Sequence, residues 1–152
     1  MPVIAERFEV AAAPEAVWAF LLDPARLAPC IPGCEGLEVV DAHTYRVRLT
    51  VKVGFLATTQ DVRMTVIEAE PPRRLVAEGR GEDARLGSQV DVRSTLELTP
   101  AGAGATTTVS YRSEVRVLGR LGSVGDAVMR AKARELAGRF AERVRAAFEP
   151  RA

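Results

Sequence analysis

The 152-residue chain has little of what catalytic and metal sites are usually built from: one histidine, His43, and two cysteines, Cys30 and Cys34. A single histidine argues against His-based metal centres and leaves at most one Ser-His or Cys-His pair. Two cysteines are too few for a disulfide scaffold and point to a reducing compartment. Their four-residue step, with no histidine or further cysteine nearby, cannot complete a tetrahedral zinc shell, so both are read as structural. No run of eighteen apolar residues is present, so no segment reads as a membrane span. The opening MPVIAERFEV carries Glu6 and Glu9 and lacks the basic-then-apolar order of a secretory signal; a cytoplasmic location is the expectation. Lys and Arg number 21 against 20 Asp and Glu, so net charge gives no reason to expect a polyanionic partner.

Charge is nevertheless uneven. From Arg116 onward nine basic residues face four acidic ones, leaving this tail at +5 and the first 115 residues at −4. A solvated helix face accounts for this; a docking surface for an acidic partner or an anionic membrane is the sharper alternative.

The apolar residues that are there follow two periods. Phe8 and Val10 read as a short first strand, and Pro14-Glu15 as the start of a helix with Val17, Trp18, Leu21 and Leu22 on its apolar face. Asp23-Pro24 ends that helix. A short second helix is expected over Ala25 to Ala28, then rigid loop from Pro29 to Cys34. Tyr45, Val47, Leu49, Val51 and Val53 alternate with polar neighbours as far as Gly54. Gln60, Val62, Met64 and Val66 share one face of the next strand. Leu75 to Gly79 reads as a strand and Gly79 to Asp83 as a polar loop. Val90 to Leu98 and Thr107 to Val117 read as two more strands, with Glu70-Pro71-Pro72-Arg73 and Pro100 to Gly104 as turns. Hairpin-length turns predict an antiparallel meander. Met129, Ala133, Leu136, Ala137, Phe140 and Val144 then form a stripe on a helix from about Ser123 to Ala147, on the order of 35 Å long.

The expected fold is α+β: one domain over residues 1–152, a curved antiparallel sheet closed by a long C-terminal helix, with two short helices after the first strand. A bent sheet gripping one alanine-rich helix leaves two options open, an internal apolar cavity or a filled core.

Catalytic patterns are weak. Glu78, Glu82 and Asp83 are interleaved with Arg80 and Arg85 and read as a solvated loop. Gly119 to Gly125 opens a helix but lacks phosphate-loop spacing, so its glycines are read as a strand-to-helix turn. His43 lies in a turn and is expected to be exposed. Arg46, Arg48 and Lys52 form a basic strip without aromatics, while Tyr45 and Tyr111 fall on apolar faces, so no nucleic-acid partner is expected.

The segment Phe8-Glu9-Val10, followed by Pro14 to Pro24, resembles the opening of START-like, helix-grip (SRPBCC) domains. Leu27-Ala28-Pro29-Cys30-Ile31-Pro32-Gly33-Cys34-Glu35 is similar to the "CIPG-C-E" segment of the carbon monoxide dehydrogenase CoxG family. Val51-Lys52-Val53-Gly54, Glu70 to Arg73 and Gly119 to Gly122 match in order, and the likeness covers about residues 3 to 148. The resemblance implies a helix-grip fold around a hydrophobic pocket. It also implies a non-catalytic accessory to a carbon monoxide dehydrogenase-type molybdenum hydroxylase. Such an accessory links the enzyme to the membrane and binds a quinone-type lipid, with no cofactor of its own. Many members continue into a membrane-contacting extension; this sequence stops at Ala152, which leaves the basic C-terminal helix as the expected peripheral contact with the inner face of the cell membrane.

The polar residues expected on the inward faces are Gln60, Ser94, Thr107, Tyr111 and Ser113. They suit orienting a ligand better than the alternative, a small enzyme of polyketide cyclase/aromatase type; a ligand-free assembly factor is the third reading. Helix-grip cavities open where Ala28 to Gly33, Gly54 to Ala57, Gly81 to Gly87 and Leu121 to Met129 meet. Ile31, Phe55, Leu56, Leu86 and Val128 are the expected mouth. Met64, Tyr111, Met129, Ala133 and Phe140 are the expected wall, with Gln60 or Tyr111 donating to a head group.

Overall fold

The two periods become two layers, a sheet and a helix laid across it. The computed structural model describes residues 3–149. The elements run β1 (Val3–Val10), α1 (Pro14–Leu21), α2 (Pro24–Leu27), a 3-10 turn (Ala28–Cys30), β2 (Cys34–Val39), β3 (Thr44–Val53), β4 (Leu56–Glu70), β5 (Arg74–Asp83), β6 (Ser88–Ala101), β7 (Thr106–Gly119), a second 3-10 turn (Arg120–Val124) and α3 (Asp126–Ala147). All pairings are antiparallel, in the order β1-β7-β6-β5-β4-β3-β2, so β5 is the middle strand. This is the expected helix-grip arrangement. Arg151, one of the nine basic residues of the tail, lies outside the described residues.

Register converts alternation into rows on the helix side of the sheet. Tyr45, Met64, Gly79, Val92 and Val115 are cross-strand neighbours in one row. Val47, Val62, Gly81, Val90 and Val117 form the next. Leu75, Leu96, Tyr111 and Glu6 form a third. A one-residue slip would turn every one of these rows to water, so the apolar alternation fixes the register. Irregularities between Val66 and Glu68 and between Cys34 and Gly36 bend the sheet where a bulged strand bends.

Three local readings change. The first strand is eight residues long, not three. Gly79 to Asp83 is not a loop but the second half of β5. The long helix begins at Asp126 rather than Ser123, because residues 120–124 close a 3-10 turn and Gly125 follows at φ 97°.

The core divides into two clusters. At one end Phe8, Val10, Val17, Trp18, Phe20, Leu21, Leu98 and Val109 pack with Ala141 and Val144 from the C-terminal half of α3. Phe148 meets Phe20 at a 5.0 Å ring separation. At the other end Val53, Leu56, Leu86 and Leu121 close the hairpin tips against Val124 and Met129.

Candidate functional site

Between the two clusters the helix side of the sheet is incompletely covered. Val62, Met64, Val90, Val92, Val115 and Val117 keep part of their surface accessible although they face α3. The helix behaves in the same graded way. Ala137, Ala141 and Val144 are buried, whereas Met129, Ala133, Leu136 and Phe140 are only partly so. The backbone of α3 comes close to the sheet chiefly at β1 and, on the far side, at β3 and the two 3-10 turns. The helix bridges the trough at its rims.

The middle strand supplies the trough's floor with almost no side chains. Ala77, Gly79 and Gly81 are its successive helix-facing positions. A Cβ on Gly79 would come within 2.0 Å of the Met64 sulfur, so the Met64 thioether lies across bare backbone. Thioether chains are easily rearranged, which makes Met64 an adjustable part of the floor.

The expected site residues separate into three groups. Met64, Met129, Ala133, Phe140 and Tyr111 lie on the helix side of the sheet or on the helix stripe. Tyr111 meets Phe140 edge-on at 6.2 Å. Burial and the neighbouring Glu6 raise the Tyr111 pKa, so its hydroxyl stays protonated. Leu56 and Leu86, each 8% exposed, sit inside the second core cluster and plug that end. Phe55 is 74% and Val128 38% exposed, and Val128 packs beside Gly54, so the hairpin tip presents an apolar edge to solvent. Ile31 is partly buried between them and the first cluster's Cys30.

Sequence reasoning missed a polar chain at the trough's edge. Asp83, 5% exposed, accepts hydrogen bonds from Thr58 Oγ1 at 2.8 Å and from the N–H groups of Thr59 and Leu86 at 3.2 Å each. Gln60 Nε2 in turn donates to Thr58 Oγ1 at 2.9 Å. Burial pushes the Asp83 carboxyl up, but the three hydrogen bonds, with Arg85 nearby, outweigh it, and its pKa lies below the ordinary carboxylate value. A depressed pKa stabilises the fold fully above the unfolded value of about 3.9, and that contribution is lost as pH falls through the folded value. Asp83→Asn is therefore expected to cost about 1.5–3 kcal/mol at pH 7. Urea titrations should show the gap closing at the lowest pH at which the fold persists; a gap independent of pH would mean that the charge contributes nothing.

The largest surface hollow among the described residues, about 700 Å³, lies on the opposite, convex face. Its walls are charged side chains that pair with one another, Arg80 with Asp91 at 3.1 Å and Arg93 with Glu78 at 2.7 Å. Such open, ion-paired walls suit water rather than an apolar ligand.

A sequence profile of the carbon monoxide dehydrogenase CoxG family matches residues 7–148. The chain belongs to that family. No curated protein sequence matches it. Among solved structures, this CoxG-family chain is similar to a conserved protein from Geobacillus kaustophilus, with a TM-score of 0.87 at 23% identity over 97% of this chain and 95% of that one. A protein from Chromobacterium violaceum aligns with a TM-score of 0.74 at 21% identity, covering 99% and 100% of the two chains. A START superfamily protein from Mycobacterium smegmatis aligns at 0.76 with 13% identity and 96% coverage of each. At these identities the likeness speaks for the fold, which is START-like.

The CoxG-family segment holding both cysteines is built for packing. Cys30 is buried; burial raises its thiol pKa, partly opposed by Arg143, and its Sγ lies 3.8 Å from the Arg26 carbonyl oxygen. Cys34 is partly exposed. Among the described residues no group of three or more Cys, His, Asp and Glu is placed to hold a metal. Iodoacetamide at pH 8 should label Cys34 at least about tenfold faster than Cys30, because only an accessible thiolate reacts. Peptide mapping showing equal rates would contradict the burial of Cys30.

His43 is exposed, with its N–H bonded to Asp41. Among the described residues no helix is long and apolar enough to cross a membrane. Several basic groups of α3 are already paired within the helix, Arg130 with Asp126 and both Lys132 and Arg139 with Glu135.

Proposed function

We propose that this chain is a non-catalytic accessory of a carbon monoxide dehydrogenase-type molybdenum hydroxylase, and that it carries an apolar ligand of quinone-lipid type in the trough under α3. The observation that supports this reading most is the partly exposed apolar floor between two closed core clusters. A filled core would bury Val62, Met64, Val90 and Val92 as completely as it buries Val109 and Val144. The family name supplies the partner: it designates a component of the dehydrogenase, which implies work alongside that enzyme. The chemistry of the trough agrees with carriage rather than turnover. Its polar groups are few, and two of them, Ser94 and Ser113, are engaged with each other at 2.7 Å.

Phe55 and Val128 at the hairpin tip give a greasy edge through which a lipid passes between a membrane surface and the trough. With much of the α3 charge paired internally, this edge is a better candidate for peripheral contact than the helix. Native mass spectrometry of freshly purified protein, with extraction of bound lipid, tests the reading. A co-purifying prenylated quinone at one per chain is expected. A chain that is ligand-free and that takes up no added isoprenoid would leave the assembly-factor role in its place.

A further inference from the structure

The side-chain oxygen of Gln60 is buried and has no hydrogen-bond partner. The residue is 6% exposed. An unmet buried acceptor costs about 1–3 kcal/mol, so its retention calls for a reason.

The orientation of the amide follows from its neighbours. Asp83, charged and acceptor-only, takes the single hydroxyl proton of Thr58. Thr58 Oγ1 therefore has only lone pairs left to offer, and the group 2.9 Å away must be the NH2 of Gln60. Turning the amide over would set oxygen against oxygen there. Oε1 is thus held on the other side, over Gly81, where a Cβ would approach it to 2.8 Å. Gly81 belongs to the row that floors the trough, beside Val62 and Val90. The chain Asp83–Thr58–Gln60 thereby fixes a carbonyl-type acceptor at the edge of an otherwise apolar floor.

We propose that Gln60 Oε1 receives a hydrogen bond from the head group of the bound ligand, so that the trough selects an apolar molecule bearing a hydroxyl or N–H donor over one whose polar atoms are acceptors only. This rests on the carrier reading above. It reverses the role expected of Gln60 from the sequence, in which its donor goes to the head group. For a ligand of quinone type, the form favoured is the dihydroxy one, because a quinone has carbonyl oxygens and no donor to give.

A matched pair of redox-inert probes tests this: a prenylated phenol and its O-methyl ether, alike in tail and ring. Calorimetric titration of the full chain is expected to show the phenol binding about tenfold more tightly, the equivalent of about 1.4 kcal/mol. In Gln60→Leu, and in Gln60→Met should the leucine variant fold poorly, the two affinities should converge to within about twofold, through weaker phenol binding. Equal affinities in the unaltered chain would overturn the proposal and leave the carrier reading standing. A preference for the phenol that persists in both variants would also overturn it. Failure of the unaltered chain to bind either probe would overturn the carrier reading and this proposal with it.

Discussion

Replacing Ala133 by tryptophan is expected to abolish ligand binding, by at least about a hundredfold in affinity, while the melting temperature barely moves. Ala133 lies on the helix stripe one turn beyond Met129, in the half of α3 that is only partly buried. An indole placed there extends toward the row of Val62, Gly81 and Val90. In a trough it fills the space the ligand needs. In a filled core the same side chain would overpack and destabilise by roughly 1–3 kcal/mol. Thermal melts and a titration with an isoprenoid probe, run on the same preparation, separate the two cases. A variant that melts early and binds as before would mean that the ligand sits elsewhere.

The second large effect concerns how the helix is launched over the sheet. Gly119 ends β7 at φ 84° and ψ −157°, a conformation essentially reserved for glycine. A Cβ there would stand 2.1 Å from the Gly87 carbonyl oxygen and 3.1 Å from Ser88 Cα. Both are backbone atoms of the β5–β6 hairpin and cannot step aside as a flexible side chain can. Just beyond, the Leu121 N–H donates to Ser88 Oγ at 2.8 Å, which ties the start of the helix segment to the same hairpin. Gly119→Ala combines backbone strain of about 1–3 kcal/mol with that collision, and at least about 3 kcal/mol is expected. For a chain of this length that lowers the melting point by roughly 6–12 °C. Gly138→Ala, inside α3 with nothing within 4 Å of the added carbon, is the control and should stabilise by about 0.5–1 kcal/mol.

The parts of this molecule that are legible in the sequence are those where burial is one-sided. Tyr45 to Val53 alternates cleanly because β3 has one wet and one covered face, and the stripe from Met129 to Val144 repeats as a helix resting on a sheet must. The 3-10 turn and the positive-φ glycines at Gly119 and Gly125 are likewise visible as a break between the two periods. The second half of β5 is hidden for a reason that bears on function. Its helix-facing positions are Ala77, Gly79, Gly81 and Asp83, so no large apolar residue marks the covered face, while Arg80 and Glu82 mark the wet one. The feature that makes the middle strand look like a loop is the feature that hollows the trough.

The mouth is less legible. Leu56 and Leu86 flank hairpin turns, which suggests exposure, but both tips fold inward onto Leu121 and join the core. At that tip it is Phe55 that turns out to water. The polar chain depends on contacts between Thr58 and Asp83, twenty-five positions apart, and no local pattern announces such a pairing. What the sequence does show is a glutamine at a position whose neighbours in the same alternation, Val62 and Met64, are apolar. An inward polar residue in an apolar series is the signal to follow.

Everything proposed for this chain depends on an apolar ligand lying between the sheet and the N-terminal half of α3. Methyl-resolved NMR during titration with a short-chain prenylated hydroquinone, kept reduced, tests that placement. Shifts are expected at the methyl groups of Met64, Met129, Val62, Val90, Val92 and Ala133, saturating at one ligand per chain, with Ile67, Val39 and Val40 unmoved. Shifts confined to Ile67, Val39 and Val40, or none at any concentration, would contradict it.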